Sequence, residues 1–261
     1  MAIGIIGGTG IEKSIFLDGS ATKKMVNTPY GSVGLLCGTF AGTEIYFLNR
    51  HGYDEGQCVL PHCINYQANI WAFASLGIHR IIGTASVGSF REDFPPGSLG
   101  ILSQFIDFTK GRKSSFYQGT LQEQGKFVHM TYPYCPEMNS VFVAAGKKLG
   151  IPLLKDLVYV CTEGPRFETL AEIKAYRLLG GDVVGMTSAP EAILCRELGI
   201  CYSSLAMSLN MAAGMTREYE REIFCFDMKL LETQIVSLLA EVIQSLPAEK
   251  QCDCLLWSKG V

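Results

Sequence analysis

Along almost the whole chain, short apolar runs rich in β-branched residues alternate with stretches whose apolar positions recur every three or four residues. The first pattern predicts strands over 2–6, 35–40, 44–49, 80–84, 99–105, 157–161, 182–186 and 200–208. The second predicts helices over 61–76, 137–149 and 220–244, the first two ended by Gly77 and Gly150. Two more helices open on capping boxes, Thr169-Leu170-Ala171-Glu172 and Ser188-Ala189-Pro190-Glu191, and end at Gly180 and Gly199. Strands that alternate with helices bury a sheet between helical layers. The pattern therefore predicts an α/β fold, a single domain over 1–261 with a mixed central β-sheet flanked by helices.

Composition narrows the class. The 261 residues are 48% hydrophobic and 18% charged, enough apolar material for a sizeable core. A net charge of −3 and a pI of about 5.9 lack the basic excess that nucleic-acid binding needs, so no nucleic-acid partner is expected. No apolar run approaches the ~20 residues of a membrane span. The opening MAIGIIGGTG has neither the basic region nor the long apolar stretch of a secretory signal. A cytoplasmic protein that does not engage membranes is expected.

Ten cysteines are scattered along the chain. Cys37, Cys161, Cys195 and Cys201 lie in apolar runs, where a reduced thiol acts as a small hydrophobe. Cys58 and Cys63 flank His62, but no second cluster completes a zinc spacing, so no metal is expected. Cys252 and Cys254, near the tail, read as a solvent-exposed thiol pair, with a redox clip as the alternative.

In α/β sheets ligands collect where loops leave the strand ends, and the residues with unusual chemistry sit there. Gly7-Gly8-Thr9-Gly10 offers backbone N–H groups and a hydroxyl, which suits a phosphate as well as it suits a tight turn. A dinucleotide fingerprint would need glycine at Lys13, and a Walker loop would need it at Glu12. Arg50 has a planar fork of donors for an oxyanion, and His51 adds another. A salt-bridged surface arginine and a satisfied histidine are the competing reading. Ser86 and Thr187 bring hydroxyls to two further strand-end loops, whereas Ser188 reads as a helix cap. Phe167 offers a ring for stacking. Glu168 either meets a ligand or only favours the helix N-terminus behind it. Asn210 is the one strongly polar side chain in the apolar segment Met207-Ser208-Leu209-Asn210-Met211-Ala212.

The segments GIIGGTG, NRHG, NYQANIWA, CTEGPRFET, VVGMTSAPEAILCRELGICY and LAMSLNMAAG, in this order from residue 3 to about 215, resemble the methylthioadenosine phosphorylase branch of the trimeric purine nucleoside phosphorylases. The resemblance implies phosphorolysis of a purine nucleoside, with phosphate as co-substrate and no metal or organic cofactor. It implies a homotrimer in which a neighbour helps close the sugar site. Thr9, Arg50, His51, Ser86 and Thr187 resemble the phosphate shell, and Ala85 the residue between phosphate and sugar. Met186 resembles the residue under the ribose, Phe167 the stacking aromatic and Asn210 the residue facing the imidazole side of the purine. His129 resembles the residue lent by the neighbouring subunit.

Three positions depart from the 6-aminopurine enzymes of that branch. They carry Asp at the positions of Asn210 and Ala212 and Ser at that of Glu168; Asn210 and Glu168 resemble the 6-oxopurine enzymes instead. The chemistry agrees. Asn210 can donate to a 6-oxo group and hold the proton arriving on ring nitrogen 7, while Glu168 accepts from the nitrogen 1 proton. Asn210, Glu168 and His51 are thus the expected catalytic residues. General 6-oxopurine phosphorylases bind the 5′-hydroxyl through a late histidine, but this chain has none after His129. The comparable stretch, Glu222-Ile223-Phe224-Cys225-Phe226, is apolar after its first residue, so Phe224 is expected to face a 5′-methylthio group; the inner face of a C-terminal helix is the competing reading. 5′-Methylthioinosine is the expected substrate. Inosine or guanosine, methylthioadenosine, and non-catalytic nucleoside binding are the alternatives.

Overall fold

The computed structural model describes residues 1–8, 15, 21–52, 58–117, 127–216 and 226–259. Within them the strands are β1 (Ala2–Gly7), β2 (Thr22–Thr28), β3 (Gly31–Phe40), β4 (Thr43–Asn49), β5 (Arg80–Ser89), β6 (Leu99–Asp107), β7 (Leu153–Cys161), β8 (Val183–Gly185) and β9 (Cys201–Met211). The helices are α1 (Tyr66–Ser75), α2 (Pro136–Leu149), α3 (Leu170–Leu178), α4 (Ser188–Glu197), α5 (Met228–Ser245) and α6 (Cys254–Trp257). The strands form one mixed sheet in the order β2-β3-β4-β1-β5-β8-β7-β6-β9. Because β9 also pairs with β5, strands β5, β8, β7, β6 and β9 close into a ring. β1, β4, β5 and β9 run parallel, so their C-terminal ends share one edge.

Burial on both faces explains the unbroken apolar run of β1. Ile3 and Ile5 pack into a cluster with Phe142 of α2 and Leu238 of α5, while Ile6 joins Phe73 of α1 and Leu194 of α4 in another. On α5 the buried positions Leu231, Ile235, Leu238, Leu239 and Val242 recur at helical spacing, and Asp227 caps its first turn by accepting from the Lys229 and Leu230 amides.

Several expectations change. The helix expected over 61–76 is a 3-10 turn at Pro61–Cys63 followed by α1, because Asn65 interrupts it and caps α1 by accepting from the Ala68 amide. The C-terminal helix starts at Met228, so Phe226 lies before it. β2 is a strand the apolar pattern did not show: six of its seven residues are not buried, and it is held by pairing along β3. The Thr169 capping box forms in both directions. The Ser188 box does not: Thr187 precedes α4 without a side-chain cap, Ser188 Oγ lies 2.9 Å from the Tyr134 hydroxyl, and Glu191 is buried. Nor is the Cys252–Cys254 pair solvent-exposed. Cys254 is buried and Cys252 half-buried, and their sulfurs gather with those of Cys135 and Cys201.

Candidate active site

At the shared strand edge lies a cavity of about 330 Å³. Arg50 enters it from the end of β4 and is itself buried. Its Nε and Nη2 donate to the two carboxylate oxygens of Glu191 at 2.7 and 3.1 Å, Nη1 donates to the Thr84 carbonyl at 2.8 Å, and Nη2 also donates to the Ile6 carbonyl at 3.2 Å. Burial opposes the Arg50 charge, but Glu191 outweighs it and holds the guanidinium protonated. Four of its five N–H groups are engaged, which leaves one on Nη1 for a ligand. Tyr202 donates to Glu191 at 2.5 Å. The competing surface salt bridge is thus a buried one that fixes the guanidinium in place.

His51 is held by its Nδ1, 2.8 Å from the Val59 carbonyl, so Nδ1 carries the proton and Nε2 is left as an acceptor in the neutral ring. Burial lowers its pKa, against the effect of that hydrogen bond, and keeps the ring neutral. Its other edge faces Gly8, where an added Cβ would stand 3.9 Å from Cδ2. The Thr187 amide is taken by the Tyr159 hydroxyl at 3.0 Å, which leaves its side-chain hydroxyl at the cavity wall. Ser86 lines the same wall.

From Thr84, bonded to Arg50, to Gly88, beside Asn210, β5 runs four residues, about 13 Å of strand. That length suits an oxyanion, a sugar and a bicyclic base in line. At the Gly88 end, β9 is bulged: Val87 pairs with Ser208, but Gly88 pairs with Asn210. The extra residue breaks the alternation, so Leu209 and Asn210 both reach the cavity. Asn210 Nδ2 donates to the Met211 carbonyl at 2.8 Å, leaving its second N–H and its oxygen for a ligand. Glu168 Oε1 accepts from the Thr162 hydroxyl at 2.7 Å, leaving Oε2. Phe167 stands over the cavity, 67% exposed, and offers its ring face for stacking.

Two glycines make this geometry possible. At Gly164, φ is +68° and an added Cβ would come 2.5 Å from Met186 Sδ, so only glycine lets the 162–168 loop lie on Met186. At Gly88 an added Cβ would meet Val184 Cγ1 at 3.3 Å and Asn210 Nδ2 at 3.4 Å. Gly88→Ala is expected to raise KM for nucleoside about tenfold, roughly 1.4 kcal/mol, by displacing Asn210. Thermal unfolding should barely change; steady-state kinetics with an unchanged KM would contradict this.

Of the residues expected from sequence, Arg50, His51, Ser86, Thr187, Phe167, Glu168, Met186, Asn210 and Ala212 line this one cavity. Ala85 does not: its methyl is buried in the core, on the opposite face of β5 from Ser86. His129 lies elsewhere, exposed beside Tyr132 and Trp257. Thr9 and Phe224 fall outside the described residues. Sequence reasoning missed three supports. Glu191 reads as part of a capping box, Thr162 opens the strand-end segment 162–167 without a role of its own, and Arg112 gives no signal. The Arg112 guanidinium donates to the Tyr66 hydroxyl and the carbonyls of Met186, Thr162 and Glu163, fastening the 162–168 loop to the end of β8.

The model of the phosphorylase superfamily matches residues 2–244. The 6-oxopurine nucleoside phosphorylase of Pyrococcus furiosus is 45% identical over 263 residues, spanning 99% of this chain and 98% of that one. A probable S-methyl-5′-thioinosine phosphorylase of Methanopyrus kandleri is 41% identical over 255 residues, spanning 97% and 95%. Among solved structures, methylthioadenosine phosphorylase from Schistosoma mansoni in complex with tubercidin is similar with a TM-score of 0.85 at 28% identity, over 99% of this chain and 96% of that one. The sequence resemblance and the ringed mixed sheet thus lead to one family: the chain belongs to the phosphorylase superfamily and has its nucleoside phosphorylase fold.

Proposed function

We propose that the chain catalyses phosphorolysis of 6-oxopurine nucleosides, with 5′-methylthioinosine as the favoured substrate, giving hypoxanthine and 5-methylthioribose 1-phosphate. The observation that carries this reading is that Glu168 and Asn210 line one cavity with Arg50 and His51. Phosphate lies against the remaining Arg50 N–H, the Ser86 and Thr187 hydroxyls and the Gly8 loop. His51 Nε2 accepts the hydrogen of monohydrogen phosphate, which orients its charged oxygens toward the sugar.

As the bond from C1′ to the purine breaks, its electron pair moves onto the base, and a phosphate oxygen forms the new bond to C1′. The proton that monohydrogen phosphate gives up is matched by one taken up, through solvent, on ring nitrogen 7, where Asn210 accepts from it and so stabilises the leaving base; Glu168 accepts from the nitrogen 1 proton and positions the base. These steps need no metal or organic cofactor. Following ultraviolet absorbance on mixing with methylthioinosine tests the class. Change that requires phosphate is expected, and binding without turnover would mean a nucleoside-binding protein.

The methylthio preference rests on the lack of a partner for a 5′-hydroxyl: His51, assigned to phosphate, is the only histidine among the described lining residues. Methylthioinosine is expected to exceed inosine in kcat/KM by at least about tenfold, roughly 1.4 kcal/mol. The name of the Pyrococcus furiosus relative favours the general reading, which takes over if inosine or guanosine is the better substrate.

The assembly proposed is a cytoplasmic homotrimer, with His129 serving a neighbour's site. His129, exposed and remote from its own chain's cavity, lies on a segment that also exposes Phe127 and Tyr132. Light scattering is expected to give three times the 28.6 kDa chain mass; a fully active monomer would contradict it.

A further inference from the structure

Four cysteines from three parts of the chain meet at the opposite end of β9 from Asn210. Cys135 precedes α2, Cys201 opens β9, and Cys252 and Cys254 lie at the start of the C-terminal turn α6. All four sulfurs lie within 4.8 Å of one another, with Cys201 and Cys252 3.3 Å apart. A tetrahedral zinc with four thiolates at about 2.3 Å sets its sulfurs about 3.8 Å apart, well inside that spread. Three of the four are buried, so the group is closed, as structural sites are, and has no open position for substrate.

The surroundings hold two arginines and one carboxylate. Arg80 pairs with Cys201 in the β5–β9 register and is 3% exposed; its Nε and Nη2 have no hydrogen-bond partner, and Glu137 stands 3.9 Å from Nη2. Arg196, 2% exposed, donates to the Cys254 carbonyl at 3.3 Å and has its own Nε unpartnered. Two buried guanidinium groups with unused donors are costly beside four neutral thiols. Beside a tetrathiolate site, whose net charge is −2, they are balancing charges.

We propose that Cys135, Cys201, Cys252 and Cys254 form a structural tetrathiolate zinc site that clips the C-terminal segment to β9 and α2. Binding replaces four thiol protons with one Zn²⁺ and involves no oxidant. Soft sulfur ligands in tetrahedral array select zinc over oxygen-seeking cations. The four-residue α6 is too short to hold itself, and the site fixes it through folding-coupled binding.

The test uses the full-length chain purified under reducing conditions without chelator. Elemental analysis is expected to find about one zinc per chain, and cobalt exchanged into the protein should show the intense sulfur-to-metal absorption of a tetrahedral thiolate site. Cys252→Ser and Cys254→Ser should each cut bound metal at least about tenfold. Cys58→Ser and Cys63→Ser, exposed and outside the group, should leave it unchanged. If a cluster variant fails to fold, the cobalt spectrum of the unaltered protein decides. Protein that stays metal-free when offered zinc or cobalt after reduction would overturn the proposal, whether its four thiols are found free or, in the freshly purified chain, joined as disulfides.

Discussion

Under matched conditions, kcat/KM for 5′-methylthioinosine is expected to exceed that for 5′-methylthioadenosine at least about a hundredfold. Glu168 Oε1 is taken by the Thr162 hydroxyl, and the free Oε2, a carboxylate oxygen, accepts and does not donate. A 6-oxopurine presents it with a nitrogen 1 proton, whereas adenine presents a lone pair. Asn210 can donate one N–H to a 6-oxo group, but the 6-amino group is itself a donor. Each mismatched buried group costs about 1–3 kcal/mol, and two together reach the stated ratio. The loss should fall on kcat as well as KM, because the Asn210 contacts strengthen as the base departs. Glu168→Ser combined with Asn210→Asp is expected to narrow the ratio at least about tenfold by turning both patterns toward adenine. Equal or better turnover of the amino compound by the unaltered enzyme would sink this assignment.

The parts legible in the sequence were those whose signal is local. Every strand with an apolar, two-faced burial pattern was visible, as were the glycine that ends α2 and the Thr169 box. β2 was not, because its place depends on pairing with β3. Most residues along the cavity were visible because they sit at or just beyond a strand end; Ser86, expected on a loop after a strand ending at 84, lies within β5, which runs on to Ser89. Their supports were not, since those join distant segments: Glu191 reaches Arg50 across 141 residues, and Arg112 reaches Met186 across 74. Ser188 and Glu191 show how a sound local pattern yields to tertiary demand. The serine and glutamate spacing of a capping box is present, but both residues are buried, and the buried Arg50 guanidinium takes Glu191 as its counter-charge while Ser188 meets Tyr134. The β9 bulge is equally hidden, and without it strand alternation would send Leu209 and Asn210 to opposite faces. The cysteine cluster escaped because its members are spread from residue 135 to 254.

Arg50→Ala is expected to lower phosphate-dependent turnover by at least about a hundredfold, the scale on which one preorganised donor to a reacting oxyanion acts. From sequence alone the fold would be expected to survive this change. The structure predicts otherwise, because the substitution leaves the Glu191 carboxylate, 2% exposed, with the Tyr202 hydroxyl as its one side-chain partner among the described residues. Breaking a buried ion pair from one side costs about 3–5 kcal/mol, so denaturant unfolding should show a loss of that size for Arg50→Ala and a similar one for Glu191→Ala. Loss of activity in either single variant therefore mixes stability with chemistry. The triple variant Arg50→Met, Glu191→Leu, Tyr202→Phe separates them. It removes both charges and the hydroxyl together while keeping volume, and such replacements of buried pairs are often neutral or stabilising. Its unfolding free energy is expected to return to within about 1–2 kcal/mol of the unaltered chain, while phosphate-dependent turnover stays as low as in Arg50→Ala. If the triple variant folds and still uses phosphate normally, Arg50 is a structural ion-pair partner alone, and the phosphate must be held by His51, Ser86, Thr187 and the Gly8 loop without it.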